Sequence, residues 1–285
     1  MSVSIEWSMA ADRKIRADFY PAERESVGTL LVCHGFKGFK DWGFFPYIGK
    51  KLSHKLDVIV FNFSHNGIGE NGTDFTELDK FALNTYSREL EDLDFVVHAV
   101  RDGLFPEEKR PQTAPLFVLG HSRGAGVALI YALDHPDRIS GVVSWNGITH
   151  PDFFEHKVKE QINANGIGYV VNARTGQQMP LSKEILDDME RNADRYDIVG
   201  RAKGSRLPIL LVQGTEDYAR LVEGSKKLLQ ARPDIEWHRV EGGTHAFNVV
   251  HPFQGTSEPL EEALRVSSDW IMELDPHAAD RGTIR

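Results

Sequence analysis

The chain has 285 residues, 41% of them hydrophobic and 26% charged, with a formal net charge of −9 at pH 7. That length accommodates one large α/β domain carrying an insertion, and the acidic balance excludes the basic stripe that a nucleic-acid surface needs. No apolar run reaches the length of a membrane span, and Cys33, the single cysteine, excludes an intrachain disulfide or a cysteine metal cluster.

The opening residues lack a basic segment followed by an apolar one, so a cytoplasmic protein is expected. Val3 to Trp7 and Lys14 to Tyr20 read as two strands joined by the polar turn Ala11-Asp12-Arg13, with Pro21 to Gly28 as a linker. Thr29 to Cys33 is a short unbroken apolar run, as in a strand buried on both faces. It ends in His34-Gly35-Phe36-Lys37-Gly38. A helix is expected from Phe44 to Lys55, with Pro46 in its first turn, where the missing N–H does no harm. Asp57 to Phe63 is a second buried strand and runs into a Gly-rich polar loop, Ser64 to Asp74. That loop lacks the lysine and the spacing of a phosphate-binding loop. Asn84 to Arg101 places Leu90, Leu93, Val96, Val97 and Val100 at helical spacing.

Next comes Leu116-Phe117-Val118-Leu119-Gly120-His121-Ser122-Arg123-Gly124-Ala125-Gly126. An apolar run ends in Gly-x-Ser-x-Gly and a small-residue helical pattern follows at once, which is the strand, sharp turn and helix that a nucleophile elbow requires. Ile139 to Asn146 is the sixth strand. Strand alternating with helix implies a parallel sheet covered on both faces, with ligands bound beyond the carboxyl ends of the strands.

The rhythm breaks from Ile148 to Arg206. This stretch holds a polar helix (Phe153 to Asn163), a hairpin (Gly168 to Asn172 with Gln177 to Met179) and a charged helix (Lys183 to Asp194). So long a connection between core strands reads as an inserted lid. The core resumes with the strand Pro208 to Gly214, the helix Leu221 to Ala231, the strand Ile235 to Val240 and a final amphipathic helix, Glu258 to Leu274. The expected organisation is therefore a core at 1–147 and 207–275, a lid at 148–206 and a tail at 276–285.

A serine hydroxyl needs a base to accept its proton and a third group to orient that base. His245, in Gly-Gly-Thr-His after a late strand, and Asp217, after the preceding one, both fall at the carboxyl edge of the sheet. The order Ser122, Asp217, His245 is the α/β-hydrolase order. Taken singly, His245 also reads as a solvated loop histidine and Asp217 as a helix cap, with Glu216 as a competing acid. Backbone N–H groups of Arg123, at the start of the elbow helix, and of Phe36, in the loop after the early strand, are the candidate oxyanion donors.

The motifs Cys33-His34-Gly35-Phe36-Lys37-Gly38, Gly120-His121-Ser122-Arg123-Gly124, Gly214-Thr215-Glu216-Asp217 and Gly243-Thr244-His245 resemble those of the serine α/β-hydrolases. The His-Gly-Phe-x-Gly start, the elbow and the insertion after the sixth strand are similar to bacterial cinnamoyl/feruloyl-type esterases and to dienelactone-hydrolase and acyl-peptidase-like relatives. The resemblance implies an α/β-hydrolase fold with Ser122 as nucleophile, His245 as base, Asp217 as orienting acid and Phe36 and Arg123 as oxyanion donors. It also implies hydrolysis of a small or aromatic carboxylic ester through an acyl-enzyme. Esterases of that group commonly carry Gln after the nucleophile, where this chain has Arg123, and small or apolar residues where it has Tyr218-Ala219-Arg220. A thioesterase, an acyltransferase or a short-peptide hydrolase would use the same residues, and a non-catalytic binding protein or a partner-recruiting scaffold could share the fold.

Tyr169, Phe153, Phe154 and Met179 are candidates for the underside of the lid, and Trp145 for the pocket wall or for core packing. Lys37, Lys40, Arg123 and Arg220 are expected at the mouth, as a functional or merely solvated basic rim. His34 is expected to brace the oxyanion loop, His121 to be structural or at the pocket rim, and His65 to pack its loop. No His-Glu-x-x-His or carboxylate cluster suggests a metal, and no organic cofactor is expected. A small-molecule ester is the expected partner, without membrane or nucleic acid; a homo-oligomer is compatible with the sequence.

Overall fold

The computed structural model describes residues 2–10, 12–106 and 110–274. The tail expected at 276–285, and Ala11 of the first turn, lie outside the described residues. The elements run β1 (Val3–Ala10), β2 (Arg13–Tyr20), β3 (Thr29–Cys33), α1 (Phe45–Leu52), β4 (Asp57–Phe61), α2 (Leu78–Ala82), α3 (Tyr86–Arg101), β5 (Leu116–His121), α4 (Arg123–Asp134) and β6 (Gly141–Trp145). They continue with α5 (His156–Asn165), β7 (Ile167–Val171), β8 (Gln178–Ser182), α6 (Glu184–Arg191), α7 (Ile198–Ala202), β9 (Ile209–Gly214), α8 (Ala219–Ala231), β10 (Glu236–Val240) and α9 (Glu258–Glu273).

Eight strands form one sheet in the order β1-β2-β4-β3-β5-β6-β9-β10. β2 runs antiparallel to both β1 and β4; β4, β3, β5, β6, β9 and β10 are mutually parallel. The expected mostly parallel sheet is what the chain forms. Strands β3, β4, β5, β6 and β9 are buried from end to end, which is why their sequences read as apolar runs without polar alternation.

The period of two survives inside those runs and sorts them between two cores. Leu31, Cys33, Ile59, Phe61 and Val118 face α3, α4 and α8. Leu30, Val32, Val58, Val60 and Phe117 face α1 and α9. Each fully buried aliphatic side chain contributes roughly 1.5–3 kcal/mol through removal from water.

Capping sets the helix ends. The Thr85 hydroxyl accepts from Arg88 N at the start of α3, and Ser257 accepts from Leu260 N at the start of α9, each cap worth about 1 kcal/mol. Pro46 sits in the first turn of α1.

Between β6 and β9 lie α5, the antiparallel pair β7–β8, α6 and α7. Phe154, Val158, Ile162, Met179, Leu181 and Ile185 of this insertion form a third core with Phe39, Ile68, Phe75 and Phe81 of the main body. Its last part, with Ile198 and Ala202 of α7, packs into the core beside α4 and α8. The five-residue helices α2 and α7 escape the sequence reading because a single turn carries no repeat. Among the described residues, no helix is long and apolar enough to cross a membrane.

Candidate active site

Because β3, β5, β9 and β10 are parallel, the loops that follow them meet at one edge of the sheet. Ser122 stands between β5 and α4 at φ 56° and ψ −119°, a backbone state costing a non-glycine residue about 1–3 kcal/mol. The turn is held by Ser122 N donating to Trp145 O at 2.9 Å and by Ile148 N donating to Ser122 O at 3.1 Å. A β-carbon on Gly124 would stand 2.4 Å from the carbonyl oxygens of Cys33 and His34, so only glycine lets α4 approach β3 this closely.

The Ser122 hydroxyl lies 3.0 Å from His245 Nε2, and His245 Nδ1 lies 2.7 Å from Asp217 Oδ1. The Asp217 side chain is fully buried, whereas that of His245 is 25% exposed. Asp217 Oδ1 also accepts from Tyr218 N at 2.7 Å, and Oδ2 accepts from Gln213 Nε2 at 2.6 Å. Three donors converge on this buried carboxylate, and the contact to Nδ1 orients His245 so that Nε2 faces the serine hydroxyl as the acceptor for its proton.

Two residues that the sequence reading did not single out fix this arrangement. Asn146, at φ 45°, a conformation that Asn tolerates better than most residues, donates from Nδ2 to Thr244 O and His245 O at 3.1 and 3.0 Å. Its Oδ1 accepts from Gly214 N at 2.8 Å and from Gln213 Nε2 at 3.0 Å. Gln213 is anchored in turn by Ser225 Oγ, which donates to its Oε1 at 2.8 Å. The available signal was a polar residue closing each of two otherwise apolar strands, since a buried amide must be fully bonded.

His34 and His121, buried near the serine, are neutral. Burial pushes His34 down to about 4 and His121 down to about 3. His34 donates from Nδ1 to Gly35 O at 2.9 Å and accepts from Phe63 N at Nε2, which ties the loop after β3 to the chain just beyond β4. His121 donates from Nε2 to His245 O at 2.8 Å. Burial likewise pushes His65 down to about 4; it packs beside Ser64.

A cavity of about 770 Å³ opens from Ser122 and His245 beneath the insertion, walled by Phe36, Ile148, Phe153, Phe154, Val158, Tyr169, Val170 and Leu221 with Lys37, Lys157 and Arg220 at its polar side. A second cleft of about 500 Å³ reaches the same two residues from the other side, past Gly35, Trp42, His121, Arg174 and Thr244. Phe36, Lys37 and Tyr218 border both. Tyr169 and Phe153 are among the residues that line the first cavity.

Trp145 and Met179 do not line either cavity and are corrected to core residues. Trp145 is 0% exposed, packs between Phe44 and Phe247 and donates from Nε1 to Ser267 Oγ at 2.8 Å. It shares the face of Val143, so it points toward α9 rather than past the strand end. Met179 is 0% exposed and lies in the core shared by insertion and body.

The expected basic rim also needs correction. Arg123 is 1% exposed, and Lys40 is held by Asp18 and Asp41 at 2.5 and 2.8 Å. Lys37 and Arg220 do reach the mouth, where they donate to Val171 O at 3.0 Å and Phe153 O at 2.8 Å. Among the described residues, no group of three or more His, Cys, Asp or Glu side chains is arranged to hold a metal ion.

The profile of a family described as alpha/beta hydrolase fold matches residues 28–167. The protein named "Putative carbamate hydrolase RutD" of Caulobacter vibrioides is 25% identical over 183 residues, covering 53% of this chain and 64% of that protein. The chain therefore spans less than two thirds of that relative. Monoglyceride lipase of Rattus norvegicus is 21% identical over 269 residues, covering 85% of this chain and 81% of the lipase. Among solved structures, Est1E of Butyrivibrio proteoclasticus superposes with a TM-score of 0.67 at 15% identity, covering 95% of this chain and 98% of that one. Est1E has also been solved with ferulic acid bound.

Proposed function

We propose that this chain, which has the α/β-hydrolase fold, is a serine hydrolase that cleaves small or aromatic carboxylic esters through an acyl-enzyme, without metal or organic cofactor. The observation that carries the reading is the chain of contacts from Ser122 Oγ through His245 to the buried Asp217, at 3.0 and 2.7 Å. In this reading His245 takes the serine proton as the hydroxyl attacks the ester carbonyl. It then protonates the leaving alcohol and finally activates the water that releases the acid.

The tetrahedral oxyanion is assigned to the N–H groups of Phe36 and Arg123. Arg123 N is the first residue of α4, where no intrahelical acceptor exists and the helix dipole favours negative charge. Closeness of the Phe36 loop supports the assignment. A β-carbon on Gly35 would stand 3.0 Å from Ser122 Cβ, and Gly38 N closes the turn on Gly35 O at 2.9 Å. The insertion, treated as a lid, supplies Phe153, Phe154 and Tyr169 to a cavity whose apolar walls suit an acyl or aryl group.

Oxygen esters, thioesters and aminoacyl amides at matched concentration, run beside Ser122→Ala, test the reading. Oxygen esters of short or aromatic acids should give the highest kcat/KM, and Ser122→Ala should lose at least about 10⁴-fold. Preference for thioesters or amides would reassign the bond, and full activity in Ser122→Ala would overturn the mechanism.

A further inference from the structure

The side chain of Arg123, next to the serine, points away from both cavities and into the protein. Its Nε donates to Glu89 Oε2 of α3 at 2.8 Å, with both side chains nearly inaccessible. Glu89 Oε1 accepts in turn from Asn84 Nδ2 at 2.7 Å. The guanidinium carbon lies 4.2 Å from the centre of the Tyr86 ring and 5.7 Å from that of Phe36. Beyond Phe36, rings of α2 and the insertion close the stack: Phe81 at 5.5 Å, Phe153 at 5.4 Å and Phe154 at 5.7 Å. Tyr86 is itself fixed by its hydroxyl, which donates to Pro151 O at 2.8 Å at the root of the insertion.

Burying such a pair is costly. Desolvation takes several kcal/mol per ion, and well-packed apolar residues of similar volume usually give equal or greater stability. Here Arg123 Nη1 and Nη2 are buried and find no hydrogen-bond partner among the described residues, which adds to the cost. Stability therefore does not account for the arginine. What the pair does supply is a planar, always-charged group clamped at Nε and laid against the ring of the residue assigned as one oxyanion donor. The same residue's own N–H is the other donor.

We propose that the Arg123 side chain is a positioning residue for the oxyanion hole, with Glu89 and Tyr86 orienting its guanidinium so that it fixes Phe36 relative to the start of α4. This inference rests on the serine-hydrolase reading above. Fixing Phe36 sets the donor that faces the developing oxyanion, so the effect matters more in the transition state than in the substrate complex. A displacement of about 1 Å in such a site costs on the order of 100-fold in rate.

The test separates positioning from stability by removing both charges together. Glu89→Leu/Arg123→Met leaves no orphaned buried ion, and the Asn84 amide donor that it frees is a smaller loss than an unpaired buried charge, so the double variant is expected to fold. Active serine is first titrated with a fluorophosphonate, so that rates are per competent site. The double variant should lose about 100-fold in kcat with KM within about threefold, and its affinity for a boronic acid that forms a tetrahedral adduct should fall by the same factor, on the scale of one oxyanion donor. Affinity for the product acid should hold. Arg123→Lys, which keeps the charge pair but not the planar stack, should give a smaller loss in the same direction. A double variant that labels normally and keeps kcat within threefold of wild type, or an Arg123→Lys variant that loses more kcat than the double variant, would overturn the inference. Absence of labelling in the wild type would instead overturn the serine-hydrolase reading beneath it.

Discussion

Replacing Asp217 by Asn changes one oxygen to an amide and leaves size and shape intact, so its consequence follows from counting donors. Asp217 Oδ1 accepts from His245 Nδ1 and Tyr218 N, both at 2.7 Å, and Oδ2 accepts from Gln213 Nε2 at 2.6 Å. With Asn, only one oxygen can accept. If that oxygen keeps His245 and Tyr218, the new NH₂ faces the NH₂ of Gln213. Gln213 cannot turn over freely, because Ser225 Oγ donates to its Oε1 and its Nε2 also serves Asn146. If the amide is reversed, its NH₂ faces Tyr218 N and donates to Nδ1 of His245. The proton of His245 then sits on Nε2, pointing at Ser122, and the ring can no longer accept the serine proton.

The first arrangement costs about 1–3 kcal/mol of stability as a buried donor pair. The second carries the wrong histidine tautomer, which costs about 10⁴-fold in kcat in such triads, equivalent to roughly 5 kcal/mol of barrier. Asp217→Asn should therefore fold with a modestly lowered Tm and lose on the order of 10³- to 10⁴-fold in kcat. Steady-state hydrolysis of a 4-nitrophenyl ester at pH 7–8 per folded protein gives the answer; a loss smaller than about tenfold would refute the donor-counting argument.

Trp145→Phe removes the bond to Ser267 and some core volume. It should cost roughly 1–3 kcal/mol in urea unfolding while leaving the ranking of ester substrates unchanged; a changed ranking would return Trp145 to the pocket wall. Folded-state values near 4 for His34 and near 3 for His121, against about 6.5 when unfolded, fix the sign of a pH effect. Above pH 6.5 both states are neutral and the stability is fully present. As pH falls below 6.5 only the unfolded chain gains protons, so stability drops by roughly 1.4 kcal/mol per pH unit for each histidine until the folded values are reached. Urea midpoints at pH 7, 6 and 5 should fall accordingly, and His121→Asn should flatten the slope; an unchanged midpoint would refute the neutral, buried assignment.

Much of the fold was legible because its core strands are buried on both faces. Thr29 to Cys33 is a strand with the boundaries its apolar run suggests, and β5 ending at His121, just before Ser122, follows from the glycines around the turn. What hydrophobic runs cannot show is which way each side chain turns. Trp145 was ambiguous for that reason: an all-buried strand offers two apolar faces, and only the packed helices decide between them. Arg123 was expected at the mouth because cations are seldom fully buried unless paired, and its partner Glu89 lies on a helix 34 residues earlier. The meeting of Ser122, His245 and Asp217 was legible from strand order, since all three follow parallel strands. The amides of Asn146 and Gln213 that hold two of those loops were visible only as polar breaks in apolar runs.

The central claim, that Ser122 is an activated nucleophile, is tested most directly by incubating the folded protein with a fluorophosphonate and mapping the adduct by mass spectrometry. The account predicts one stoichiometric adduct on the peptide containing Ser122, absent from Ser122→Ala and strongly slowed in His245→Ala. Absence of an adduct in the wild type, or its persistence in Ser122→Ala, would contradict it.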